Sequence, residues 1–527
     1  MTAGRRTLLL GGRIHSPSAP DATAMAIEDG VVVWVGQDGP AKALYPDAEV
    51  VPLNGAFVAP AFVDPHVHTT AAGLQLTGLD LSHCSSLDAC LDAVRARRED
   101  VVWGHGWDET RWPEQRPPTR EEIDQVADGR QVYLSRVDVH SALVSSATIA
   151  QAPEARGATG WDERGPLSQE AHHIVRRVAL RGLSGRQRKA ARIAFLTHAA
   201  AQGVAAVHEC AGPEISGRTD LAEVLELGRL DGFPDVVGYW GELGAFELAR
   251  ELGVHGLAGD LFVDGALGSR TAALHTPYAD DPGNTGARYL DAGEIAEHVV
   301  ECTQAGLQAG FHVIGEAAVA TIVDGFAKAA EVVGVPAIAG ARHRLEHVEM
   351  VTGEQGALLG SWGVVASMQP RFDALWGGPS GMYVQRLGER GTGLNPFSML
   401  ARNGVLLAFG SDAPVTPVDP WASVRAAVHH HTNGFGVSAR AAFTAHTRGG
   451  WRASGVDDGV TGTLVPGAPA TYAVWETGEL VVAGSDSRVQ RWSTDPRSGV
   501  PGLPSLDGEL PKCVRTVLRG KTIYHKG

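Results

Sequence analysis

The hexapeptide VDPHVH, residues 63–68, sets His66 and His68 two positions apart at the end of an apolar run, AFVAPAFV. Side chains at i and i+2 of a strand point to the same side, so the two imidazoles would stand together at a strand end. Paired imidazoles are a fragment of a metal site, and the rest of the chain has to supply the other donors. Three further polar residues close strand-like runs: His312 in AGFHVI, His347 in RHRLEH and Asp412 in VLLAFGSD. Histidine offers a neutral nitrogen and aspartate offers charge, a combination that holds a divalent ion. Each piece alone also has a structural reading. The HxH pair could be satisfied core, His347 could pair with Glu346 or Glu349, and Asp412 could cap a helix. Recurrence of donor residues at the same end of successive strands favours the metal site.

Those donors need a scaffold that brings strand ends together. Strand-like ends recur at 204–208, 236–240, 260–264, 309–314, 342–347, 364–370 and 405–412, and with AFVDPHVH they make about eight. Between them RKAARIAFLTHAAAQG, GEIAEHVVECTQAG and AVATIVDGFAKAAEVVG carry helical apolar spacing. Alternating strands and helices of this number predict an α/β fold, a (β/α)8 TIM barrel, whose active face lies at the C-terminal strand ends. The barrel is expected over residues 59–72 and 191–459. Short strand patterns at both chain ends predict one composite β-sandwich from residues 1–58 and 460–527. Residues 73–190 are too long for a loop and predict an inserted subdomain over the barrel mouth.

Composition narrows the class. The 527 residues carry a net charge of −15 and no basic stripe, which argues against nucleic acid. No window of about 18 apolar residues predicts a membrane span. The arginines of MTAGRRTLLLGG precede only three leucines, too short a run for a signal peptide. The five cysteines show no CxxC spacing, which fits a reducing cytoplasm.

VDPHVH, FHVIGE, RHRLEHVEM and AFGSDAPV resemble the metal-binding strand ends of the amidohydrolase superfamily. GWDETRWP, DGALGSRTAAL, MQPRFDALWGG and GSDAPV resemble its branch related to N-substituted formamide deformylases. The resemblance covers nearly the whole chain. It implies a hydrolase of amide-type C–N bonds acting on a small-molecule substrate, with a metal-activated water and Asp412 as general base and acid. His347 would hold a second ion, or bond the water or the developing oxyanion. A homodimer is the oligomer it leans toward.

One departure bears on the ion count. Binuclear relatives often carry a carboxylated lysine four residues before the DG aspartate; here that position, before Asp264, is Asp260. Aspartate is shorter, so one ion is favoured over two, and Asp260 is only a candidate further ligand. Zinc is the first choice among the divalent metals that such a set accepts. A second departure is Glu316, which relatives often replace by aspartate and which would accept a hydrogen bond at the start of the following helix.

Other residues could contact substrate. His208 ends the second strand, and His140 follows a strand of the insertion. Arg270 and Arg371 sit just past strand ends, where they could fix a carboxylate or hold a loop. Trp107, Trp112 and Trp376 could line an apolar pocket or pack the insertion down. His429–His431 diverge by about 100° per residue on a helix and are read as surface or oligomer contacts. A deaminase or cyclic-amide hydrolase on the same barrel is the alternative chemistry, and a catalytically silent binding barrel is the alternative class.

Overall fold

The computed structural model describes residues 6–481 and 501–527. Eight parallel strands form the centre: β1 Phe62–Val67, β2 Val204–Ala211, β3 Asp235–Trp240, β4 Gly256–Leu257, β5 Gln308–Val313, β6 Arg344–His347, β7 Val365–Met368 and β8 Leu406–Phe409. They hydrogen-bond in sequence order, and a parallel bridge from Val67 to Ala413 brings the segment after β8 back to β1. Most of these strands are buried on both faces, by helices outside and by interior side chains within. The three helical patterns form helices at Gly185–Ala201, Ala292–Ala305 and Glu316–Val333. Ser184 and Asp291 open the first two with reciprocal capping boxes.

The fourth strand differs from expectation. The run 260–264 was expected to be strand, but β4 ends at Leu257 and 260–264 leaves the regular ladder, keeping isolated bridges from Phe262 to His312 and from Asp264 to Arg288. Gly259, at φ 82°, makes the turn that a side-chain-bearing residue resists. Gly241 lets the departing chain lie close, because a Cβ there would stand 2.7 Å from the Asp260 carbonyl oxygen.

Both chain ends contribute to an additional β unit. One sheet holds Arg6–Leu10, Ala24–Glu28, Val31–Gly36 and Glu49–Pro52. The other joins Arg13–Ile14 and Phe57–Pro60 to Tyr472–Glu476, Lys512–Leu518 and Lys521–His525. Leu9, Ile27, Val58, Tyr472 and Val474 share one buried cluster between them. Residues 482–484 of the expected strand ELVVAG, and MTAGR at the N-terminus, lie outside the described residues.

After β1 the chain runs through helix α1 (Thr69–Thr77) into a five-stranded sheet between Leu79 and Ser168. It returns through helix α2 (Gln169–Gly182) and helix α3 (Gly185–Ala201). α1 and α3 cross so closely that a Cβ on Gly73 would lie 1.9 Å from the Ala191 carbonyl oxygen. A buried ionic latch fixes the insertion to the barrel loops. Arg136 pairs with Asp108, Glu109 and Asp138, and Glu109 also meets Arg386. Among the described residues no helix is long and apolar enough to cross a membrane.

The β unit is joined to β1 by aromatic packing. Trp475 lies with its ring centroid 5.7 Å from both Phe62 and Trp421 and is 2% exposed. Removing that ring leaves a cavity at the joint, so Trp475→Ala should cost about 3–5 kcal/mol. Chemical denaturation of the first unfolding transition reads it; a loss under about 1 kcal/mol would show that the ring does not hold the joint.

Candidate metal centre

Four imidazoles and two carboxylates meet at the C-terminal end of the barrel. His66 ends β1, and His68 follows it into the turn before α1. His312 lies on β5, His347 closes β6, Asp412 follows β8, and Asp260 sits beyond the bend after β4. All six are buried, at 8% exposure or less. The chain bends to present them: His347 and Asp412 adopt φ 71° and 55°, sparsely populated values for residues with side chains.

Each imidazole has one nitrogen bonded to an oxygen of the surrounding protein. His66 Nδ1 donates to Glu346 Oε2 at 2.8 Å, and His68 Nδ1 donates to the Cys210 carbonyl at 3.0 Å. His347 Nδ1 donates to Gln369 Oε1 at 2.8 Å, and His312 Nε2 donates to the Gly265 carbonyl at 3.3 Å. These bonds leave the second nitrogen of every ring open to a proton or a metal ion. The four open nitrogens converge on the two carboxylates. His66 Nε2 is 3.4 Å from Asp260 Oδ1 and 3.4 Å from Asp412 Oδ1. His68 Nε2 is 3.1 Å from Asp260 Oδ2 and 3.3 Å from Asp412 Oδ1. His312 Nδ1 is 3.5 Å from Asp260 Oδ1.

Acceptors facing acceptors inside a protein require positive charge between them. Burial disfavours a charged His68, yet Asp260 and Asp412 outweigh it and pull its pKa up to about 9. His66 Nε2, His312 Nδ1, Asp260 Oδ1 and Asp412 Oδ1 are all buried without a hydrogen-bond partner. The donors form three overlapping triads: His66–His68–Asp260, Asp260–His312–His347 and His66–His347–Asp412, with atoms inside each within 4.8 Å of one another. The residues present fit a divalent metal.

Beneath the donors lies a layer that strand-end reading did not anticipate. Glu346 points inward to His66, and Arg344 clamps it with bonds of 2.5 and 2.9 Å. Burial would raise the Glu346 pKa, but Arg344 and His66 hold it well below the usual carboxylate range. Asp64 accepts the Ser411 amide at 2.9 Å, tying the end of β1 to the turn after β8. Asp264 accepts three amides, from Ala273, Ile314 and Gly315, and so shapes the loop between β4 and β5. The i, i+2 pair Arg344 and Glu346 was the available sequence signal.

Two cavities adjoin the cluster, and His140 borders both. Its ring centroid is 5.1 Å from that of His312. One cavity touches His312, His347 and Asp412 and is walled by Phe372, Trp376, Met382 and Tyr383, each 8% exposed or less. The other touches His68 and Asp260 and is walled by His172, His173 and Arg176 of α2.

Several expected contacts lie elsewhere. His208 is in the barrel interior, where its Nδ1 accepts from Arg344 at 3.1 Å; it lines neither cavity because β2 carries it below the mouth. Arg270 binds Asp280 through two hydrogen bonds, holding a loop. Arg371 lies 3.8 Å from Asp419, away from both cavities. Trp107 and Trp112 are in the core of the insertion, donating to the Leu134 and Cys84 carbonyls. His430 is not a surface residue: its side chain is 1% exposed and 3.5 Å from Asp373, because the helix ends at Val428 and the chain turns inward. Glu316 accepts the His275 amide, 41 positions upstream, and so secures a loop.

Comparison with known proteins agrees with this geometry. The model of the Amidohydrolase family matches residues 49–524. A putative amidohydrolase, YtcJ of Bacillus subtilis, is 27% identical over 78% of this chain and 82% of its own length. The N-substituted formamide deformylase of Arthrobacter pascens is 24% identical over 80% of this chain and 83% of its own. The crystal structure of an uncharacterized metal-dependent hydrolase from Pyrococcus furiosus superposes with a TM-score of 0.69 at 28% identity, covering 89% of this chain and 98% of that one. With a family match spanning most of its length and a metal-competent donor cluster at its barrel mouth, the chain belongs to the amidohydrolase family, metal-dependent hydrolases of non-peptide carbon–nitrogen bonds.

Proposed function

We propose that the protein hydrolyses an amide or N-substituted formamide whose substituent is apolar, with zinc as the first candidate metal. The convergence of four imidazoles on Asp260 and Asp412 carries this reading. A bound divalent ion supplies Lewis acidity, which polarises a carbonyl and makes a water acidic at neutral pH. His66, His68, His312, His347 and Asp260 would hold the metal. Asp412 takes the proton of the attacking water and delivers it to the departing nitrogen. His347 acts as an ion ligand through the nitrogen opposite the one bonded to Gln369, in the triads it shares with Asp260 and Asp412. Phe372, Trp376, Met382 and Tyr383 receive the substituent and exclude water. The same wall is what the substituent of an N-substituted formamide, the substrate in the name of the Arthrobacter pascens relative, would meet.

The ion count turns on Asp260. One ion follows from the shortness of aspartate on a regular strand. The bend after β4 supports two, because it places the carboxylate between His68 and His312, and Asp260 belongs to two of the three donor triads.

Two measurements test this. Asp412→Asn should remain folded and lose turnover of N-substituted formamides by about 10²–10⁴-fold; retention of more than about a tenth of the rate contradicts the proton-transfer role. Elemental analysis of metal-replete protein should give two ions per chain, falling in Asp260→Ala. One ion in the wild type restores the single-ion reading, and none would overturn the hydrolase.

A further inference from the structure

The cavity beside α2 contains a feature that amide hydrolysis does not use. Arg176, on α2, is 7% exposed and borders the cavity beside His68 and Asp260. Most other deeply buried arginines of the fold are paired: Arg136, Arg192, Arg344 and Arg386 all meet carboxylates. Arg176 makes no ion pair or hydrogen bond among the described residues. Its guanidinium nitrogens are not among the sealed, partnerless polar atoms, so they open onto the cavity, where their donors are free to meet a ligand. One helical turn along the same face, His172 reaches the cavity at i−4 and His173 at i−3. His173 Nδ1 is likewise buried without a partner, while His172 Nε2 is engaged by the Tyr133 hydroxyl at 2.9 Å. Burial and Arg176 hold His173 neutral, with a pKa lowered to about 4, so the fixed charge of the wall is the guanidinium.

We propose that this cavity is a subsite for a carboxylate carried by the substrate, with Arg176 as its anchor and His173 as a further hydrogen-bonding group. One planar guanidinium matches one carboxylate; a phosphate of higher charge would call for more cations than the wall provides. The proposal rests on the amide-hydrolase reading and narrows it. The apolar cavity and the Arg176 cavity adjoin the metal cluster and share His140, so a substrate spans them with its scissile C–N bond at the cluster. The substrate class is an N-formyl or N-acyl amino-acid type amide, with a hydrocarbon group in one cavity and a carboxylate in the other. The signal in the sequence is HHIVRR, residues 172–177, which places two histidines and an arginine on one helix face within the insertion.

Titration calorimetry of the full-length, metal-loaded protein with 3-phenylpropionate and 3-phenylpropan-1-ol tests the subsite. Neither probe has a C–N bond, so the result is independent of turnover. The carboxylate should bind at least about 10-fold more tightly than the alcohol, as expected for a charge-assisted bond. Arg176→Gln should reduce that preference to under about 3-fold while leaving alcohol affinity within about 2-fold, and Arg176→Lys should fall between. A preference that survives Arg176→Gln would place the carboxylate on the metal centre and overturn the subsite. Absence of carboxylate binding or preference in the wild type would overturn it equally. Amide turnover without carboxylate preference would sink this inference alone and leave the hydrolase standing.

Discussion

The hydrogen bond from His66 Nδ1 to the buried Glu346 carboxylate orders the rest of the mouth. Glu346 stays ionised because Arg344 clamps it, and Arg344 is in turn stacked over the Tyr239 ring at 4.4 Å and bonded to the Pro65 carbonyl. Through these contacts the barrel interior sets the rotation of a ligand at its surface. The same device repeats with different acceptors on His68, His312 and His347. A metal site of this kind is held from below, by the groups that bond the opposite nitrogens.

Regular strands alone would not assemble the cluster. On an ideal strand, Glu346 and His347 would point to opposite faces. Both serve the centre because β6 ends at His347, where φ turns positive and continues so at Val348. Asp260 reaches the histidines because β4 stops early and Gly259 turns the chain. Asp412 sits in the left-handed region with its amide bonded to the His66 carbonyl. Strain at two ligand positions, His347 and Asp412, is offset by neighbouring bonds: Asp64 takes the Ser411 amide beside Asp412, and the Val348 amide beside His347 bonds the Val313 carbonyl.

This pattern explains what could be read from the sequence. His66 and His68 declared themselves by i, i+2 spacing, and His312, His347 and Asp412 by closing apolar runs that became β5, β6 and the turn after β8. The barrel and the three helices followed from periodicity. What escaped was set by departures from periodicity and by distant contacts. The fourth strand was placed four residues late because DLFVD alternates like a strand although Gly259 has already broken it. Arg270, Arg371 and His208 looked like substrate contacts, but their partners, Asp280, Asp419 and Arg344, lie on segments whose approach no local pattern reveals. Arg176 was missed for the same reason, since the cavity it borders exists only where α2 returns over the barrel.

The centre is thus flanked by an apolar wall from the barrel loops and a cationic wall from the insertion, with His140 between them. The buried latch of Arg136, Glu109 and Arg386 keeps those walls in register. In this reading one specific nitrogen of each imidazole faces the metal. A crystal structure of metal-loaded protein with anomalous scattering tests the assignment. Anomalous peaks are expected within bonding distance of His66 Nε2, His68 Nε2, His347 Nε2 and His312 Nδ1, with Glu346, Gln369 and the Cys210 and Gly265 carbonyls still on the opposite nitrogens. Peaks ligated by His66 Nδ1 in place of Glu346, or lying away from Asp260 and Asp412, would contradict it.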